Sequence, residues 1–195
     1  ANAFLDFGAL WGNAPFPSAH GFDKHVLSQR YSSANISSGV MPIGMVQEGG
    51  EEQAAFFWTL RADAYEAWRA APLDQWKENV LVLWPDAKPF LMHFTSHDQF
   101  VFAHYAHHTV KHPVEGRVVH IGDAWHAASP QLGQGANMAL LDAWALSKAL
   151  REEKDVDTAL KRFLHMRQTH VQLYQTISHL FTPVYQSDQK LLPAL

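Results

Sequence analysis

The stretch from Arg117 to Leu150 constrains this chain more than any other. A nearly continuous β-branched run, Arg117 to Ile121, ends on Gly122-Asp123; a loop with Pro130 follows, and Gly133-Gln134-Gly135 opens a long periodic segment. Such a run predicts a strand buried on both faces of a mainly parallel sheet. From Gln134 to Leu150, the residues Ala136, Ala139, Leu140, Ala143, Leu146 and Leu150 recur at helical spacing and predict one buried stripe on a helix. A strand, a glycine-bearing loop and a helix in that order suit an open α/β sheet, in which ligands bind beyond the carboxyl ends of the strands.

A carboxylate at such a strand end points into the ligand crevice, which makes Asp123 a candidate acceptor for sugar-like hydroxyls. Gly133 and Gly135 remove side chains where the loop becomes a helix, so a ligand can approach the free N–H groups of the first turn. Those amides and the helix dipole favour partial negative charge. An isoalloxazine ring, which concentrates negative charge at its N1–C2=O edge when reduced, is one ligand that needs this arrangement. The alternative is plainer: the glycines permit a tight loop and Asp123 caps a turn. Short glycine motifs taken singly do not separate the two.

The whole segment GDAWHAASPQLGQGANMALLDAWALSKAL, Gly122 to Leu150, resembles the second FAD fingerprint of the group A (para-hydroxybenzoate hydroxylase-like) flavoprotein monooxygenases. That fingerprint is Gly-Asp-Ala-x-His, then Pro, then Gly-Gln-Gly-x-Asn, then a helix containing Asp-Ala. The resemblance implies that Gly122 and Asp123 meet the polyol part of FAD, that Gly133, Gln134, Gly135, Ala136 and Asn137 contact the flavin through their backbone, and that Pro130 shapes the loop beside it. Trp125 departs from the Ala common at its position. Upstream, FGALWG (Phe7 to Gly12), GVMPIGM (Gly39 to Met45) and FWTLR (Phe57 to Arg61) are similar to the family's substrate domain. The Gly-x-Gly-x-x-Gly pyrophosphate turn and the family's middle Asp-Gly fingerprint do not occur in the sequence.

The resemblance therefore implies an α+β fold: a substrate-binding antiparallel sheet with helices, over residues 1–112, and the C-terminal part of a doubly wound FAD-binding domain, over residues 113–195. It implies oxygenation of an aromatic or other electron-rich small molecule with NAD(P)H as co-substrate and a partner in the missing N-terminal FAD-binding half. A flavin reductase or halogenase of the same fold, or a non-catalytic truncated binding domain, are the alternatives. No catalytic acid or base can be named from the sequence.

Along the chain, Ala1 to Gly39 read as short strands and loops. Met41–Val46 and Gln53–Arg61 form a hairpin around a Glu/Gly cluster. Asp63 caps a helix to Ala70, and a second helix covers Leu73–Leu83. Pro89–Phe94 and Gln99–Ala106 are expected as an antiparallel pair about Thr95–Asp98, with a domain crossing at Lys111-His112-Pro113. A last helix runs from Val156 to Phe181, with Leu160, Phe163, Leu164, Val171, Tyr174, Ile177 and Phe181 as its stripe and Pro183 closing it.

Composition excludes several classes. A net charge of -4 offers no field for nucleic acid. No apolar stretch approaches the ~20 residues of a membrane span, and a cytoplasmic setting is the default expectation. The absence of cysteine removes thiolate chemistry. The thirteen histidines include His104, His108 and His112 at strand spacing, but Pro113 argues against a rigid three-ligand face, so no metal is expected. Ser129, His126 and Asp123 sit too close on one loop to align as a hydrolytic triad. An interior strand without neighbours recruits partners, so the chain by itself is expected to self-associate, swap elements or be unstable, a homo-oligomer being one such outcome.

Overall fold

The computed structural model describes residues 3–16 and 21–188. They form two compact units, one built mainly from Asp6–His104 and the other mainly from Tyr105–Val184.

The first unit is a five-stranded sheet in the order β2-β3-β4-β1-β5, with β1 Ala3–Pro15, β2 Ser28–Ser33, β3 Ile36–Met45, β4 Glu52–Arg61 and β5 Val101–His107. The β3–β4 hairpin falls where it is expected, with Val40 opposite Phe56. β1 is a single thirteen-residue strand rather than short strands and loops. Its glycines are packing devices, not breakers: a Cβ on Gly8 would lie 2.3 Å from the Ala103 carbonyl oxygen, and one on Gly12 2.7 Å from the Phe94 ring.

One face of the sheet, carrying Leu10, Ala14, Val40, Phe56 and Trp58, is covered by helices. α1, Tyr65–Ala70, brings Trp68; α2, Leu73–Leu83, brings Trp76 and Val80. Rings meet edge to face, with Trp58–Trp76 at 6.3 Å and Trp76–Phe100 at 5.0 Å, the geometry that aromatic quadrupoles favour. α2 occupies the expected residues. Asp63, however, caps nothing: a 3-10 turn precedes α1, and its carboxylate pairs with Arg61 at 2.9 Å.

Pro89–Phe94 is not a strand. α3, Lys88–Leu91, carries Pro89 in its first turn, where a missing N–H is harmless, and buries Phe90 and Leu91, with Phe94 buried just beyond. Over six residues, apolar spacing alone does not distinguish a helical turn from a strand. The turn at Thr95–Asp98 is real: Ser96 Oγ accepts the Asp98 N–H, and Gln99 Oε1 accepts the Ser96 N–H at 3.0 Å in a capping box.

In the second unit the β-branched run is neither interior nor parallel. β6, Val114–Glu115, and β7, Val118–Val119, pair antiparallel across a Gly116-Arg117 turn, and Val118 is exposed. The near-continuous apolar pattern could not distinguish a strand flanked by others from one folded back on its own hairpin. α4 spans Asp123–His126, α5 Gly135–Glu152 and α6 Val156–Tyr185. The core gathers Trp125, Met138, Ala145, Ala149, Phe163 and Val171.

The buried stripe of α5 is not the expected one. Met138, Asp142, Ala145 and Ala149 face inward, while Leu140 and Leu150 are exposed. Its apolar residues spread around much of the helix, and the side that docks is the one whose carboxylate finds donors. On α6, Leu160, Phe163, Val171 and Tyr174 are buried as expected, but Phe181 is exposed. Pro183 lies inside α6 rather than ending it.

Candidate functional site

The site starts at Gly122. Its backbone, φ 55° and ψ -139°, lies in a region that side chains resist, and a Cβ there would meet the Ala139 Cβ of α5 at 3.0 Å. The Gly122 carbonyl accepts the N–H groups of Trp125 and His126, each at 2.9 Å, so the chain turns at once into α4. Adjacent backbone bonds, Val110 N–H to the Trp125 carbonyl at 2.8 Å and His108 N–H to the Ala127 carbonyl at 2.9 Å, hold the turn from outside. Trp125 is buried against Phe163, a core role for the residue that departs from the family's Ala.

Asp123 stands exposed at the start of α4. It makes no side-chain cap bond, so the turn-cap alternative does not describe it, and its carboxylate is free of hydrogen bonds and ion pairs among the described residues. The Tyr174 phenol is held above its ordinary range by burial, with the charge of Asp123 adding to the effect.

A 3-10 turn over Pro130–Leu132 leads to Gly133, which is left-handed with φ 61° and whose N–H donates to the Pro130 carbonyl at 2.8 Å. α5 then begins at Gly135 with no side chain capping it. Asn137 Nδ2 donates to Gln134 Oε1 at 2.9 Å, so these two side chains bind each other. A Cβ on Gly133 or Gly135 would meet no protein atom within 4 Å. Gly135 has an ordinary negative φ, so neither backbone strain nor internal packing calls for glycine there. The space beside an uncapped, amide-rich helix start is what an approaching electron-rich ring edge needs.

Two buried networks that sequence reasoning missed fix this loop. In the first, Asp142 of α5, fully buried, accepts the Gly122 N–H at 2.9 Å, His126 Nε2 at 2.6 Å and Arg167 Nε at 2.7 Å. Burial pushes the Asp142 carboxyl up, but the bonds from His126, Gly122 and Arg167 together outweigh it and hold the group below the usual carboxylate range. The signal was present: Asp142 is the one charged residue in the apolar register between Gln134 and Ser147.

In the second, Ser129 Oγ lies 3.0 Å from Thr182 Oγ1, which lies 3.0 Å from His107 Nε2 and donates to the Ser178 carbonyl at 2.7 Å. His107 stacks on His179 with ring centroids 4.0 Å apart, and burial first, then His179, lower its pKa. This cluster anchors the residue before Pro130. Ser129, His126 and Asp123 make no bond with one another: His126 is committed to Asp142 and Ser129 to Thr182.

A family model described as an FAD binding domain matches residues 19–174. The chain belongs to this FAD-binding family. Among curated proteins similar to this chain, the FAD-dependent urate hydroxylase of Klebsiella pneumoniae is 40% identical over 50 residues, 26% of this chain and 13% of that protein. The 2-heptyl-3-hydroxy-4(1H)-quinolone synthase of Pseudomonas aeruginosa is 67% identical over 33 residues, 17% of this chain and 9% of that protein. Two solved structures share the fold, each with a TM-score of 0.77. P. aeruginosa PqsL in complex with 2-aminobenzoylacetate is 18% identical, the likeness covering 99% of this chain and 52% of that one. K. pneumoniae HpxO complexed with FAD and uric acid is 16% identical, covering 100% of this chain and 48% of that one. The chain thus spans about half the length of these solved relatives. No helix among the described residues is long and apolar enough to cross a membrane.

For an FAD-binding domain the residues fit the group: a free carboxylate at Asp123, glycines whose missing Cβ atoms leave open space, and a helix start that no side chain caps. FGALWG, GVMPIGM and FWTLR lie on β1, β3 and β4, neighbouring strands of one sheet.

Proposed function

We propose that this chain is the C-terminal portion of an FAD-dependent monooxygenase that hydroxylates an aromatic or other electron-rich small molecule with NAD(P)H as co-substrate. The observation that carries the reading is the start of α5, where Gly135 is required by neither packing nor φ and faces open space. Asp123 would accept from the polyol chain of FAD, Gly122 would keep it in place, and the backbone of Gly133, Gln134, Gly135, Ala136 and Asn137 would meet the flavin edge. Pro130 would shape the loop beside the ring.

When bound, FAD supplies the redox and oxygen-transfer chemistry. The chain's own residues bind and orient it: the first-turn amides and dipole of α5 favour the negative charge that a reduced flavin edge carries. Residues 1–112 would mainly hold substrate and residues 113–195 would close the cofactor domain. The uric acid and 2-aminobenzoylacetate bound by structural relatives favour small, electron-rich substrates here. The remaining part of the cofactor site would come from a segment equivalent to the other half of those relatives.

The test is a fluorescence titration of the protein as encoded with FAD, followed by NAD(P)H oxidation with and without small aromatic acids and phenols. Stoichiometric FAD and aromatic-stimulated NAD(P)H consumption with product hydroxylation are expected. No FAD binding would remove the reading; FAD binding with NAD(P)H oxidation but no oxygenated product from any electron-rich compound would make the protein a reductase.

A further inference from the structure

We infer that Asp142 is a positioning residue for the cofactor end of the site, one that sets where Asp123 stands relative to the start of α5. The inference rests on the reading of those groups as FAD contacts. The carboxylate lies two turns along α5 from Gly135, and so is rigidly connected to that helix start. Its Oδ2 takes the N–H of Gly122, the residue next to Asp123, and Gly122 packs so closely on α5 that a Cβ added to it would lie 3.0 Å from the Ala139 Cβ. One hydrogen bond and one close packing contact thus lock the acceptor turn to the amide-rich helix end.

The charge on Asp142 is what allows the lock. Oδ2 receives two donors, Gly122 N–H and His126 Nε2, and Oδ1 receives Arg167 Nε. With the carboxylate ionised, the His126 nitrogen must be the N–H that donates. Arg167, also buried, supplies the compensating charge, and its Nη1 lies 2.6 Å from His170 Nδ1. Three elements, α4, α5 and α6, converge on two oxygen atoms. An asparagine has the same shape but only one acceptor oxygen. In either orientation its NH2 confronts a donor, Gly122 and His126 on one side or the guanidinium on the other. The buried pair is therefore weak evidence for stability, and what its carboxylate specifies is the placing of three donors around two oxygens.

The experiment is a double-mutant cycle in the protein as encoded: wild type, Asp142→Asn, Asp123→Ala and the double variant, with FAD affinity measured at a temperature where circular dichroism shows all four folded. Asp142→Asn should weaken FAD binding about tenfold or more, and the double variant should bind no more than about threefold worse than the weaker single variant, because both changes remove the same contact. In parallel, the Gly122 and Asp123 amide resonances should shift in FAD-free Asp142→Asn. Multiplicative losses in the cycle, or unchanged amide resonances, would overturn the inference and leave Asp142 a stability residue. Undiminished FAD affinity in Asp142→Asn would overturn it while sparing the FAD reading; a wild-type protein that binds no FAD would end both. Should Asp142→Asn not fold, His126→Phe, which removes one donor to Oδ2 and keeps a ring, enters the cycle under the same criterion.

Discussion

The backbone N–H of Gly122 donates to Asp142 Oδ2 at 2.9 Å, joining a turn and a helix through two residues twenty apart in sequence. A buried carboxylate needs donors to remain ionised, and a buried backbone N–H needs an acceptor. Each group answers the other, and the side chain beside that turn, Asp123, is left free.

Replacing Asp123 with Ala should cut FAD affinity ten- to a hundredfold, since a charge-assisted hydrogen bond contributes roughly 1.5–3 kcal/mol. Asp123 is exposed and makes no hydrogen bond among the described residues, so the melting temperature without FAD should hardly change. Fluorescence titration and a melting curve on the same variant check both halves. Equal FAD affinity would return Asp123 to a solvent-facing role.

Gly135 and Gly133 should respond differently to substitution. Gly135→Val places its branch in open space at an ordinary φ, so the FAD-free protein should melt close to wild type while the increment conferred by FAD disappears. Gly133→Ala has the same open space but a φ of 61°, and should cost about 1–2 kcal/mol with or without FAD. Calorimetry with and without FAD reads both; a Gly135→Val variant already unstable without FAD would reject the contact.

His107 should make the fold sensitive to mild acid. Burial and the stacked His179 lower its pKa from 6.5, so below that value the unfolded chain takes up a proton that the folded ring refuses. Stability is then lost as pH falls from about 6.5 towards the lower folded value. His107→Asn removes this term, and its denaturant midpoint should fall less steeply than that of wild type between neutral and mildly acidic pH. Parallel slopes would show that His107 does not titrate in this range.

In the sheet, Gly8→Ala should destabilise by about 1–3 kcal/mol, the usual cost of overpacking. The added Cβ meets the Ala103 backbone oxygen at 2.3 Å, an atom that cannot rotate aside. Urea denaturation measures it, and a wild-type midpoint would mean that β1 and β5 yield more easily than packed strands do.

Local chemistry made several features legible in the sequence alone. The order Gly122-Asp123, Pro130, Gly133-Gln134-Gly135 pointed to an FAD fingerprint, and the model of an FAD binding domain matches across it. α2 and the β3–β4 hairpin were readable because Pro72, the Glu/Gly cluster and their periodicities act within a few residues. What required the tertiary structure was everything that depends on which surface meets which. Val118 and Val119 read as an interior strand but pair with a neighbouring hairpin arm, because β-branched composition carries no information about the partner. Pro89–Phe94 turned helical because Phe90, Leu91 and Phe94 reach a core whose position no six-residue pattern contains. The inward side of α5 was decided by Arg167 and His126, neither of them on that helix, which supply the donors that let Asp142 be buried. Helical periodicity identifies the apolar positions, but only the arrival of partners for the polar ones selects the face that is buried.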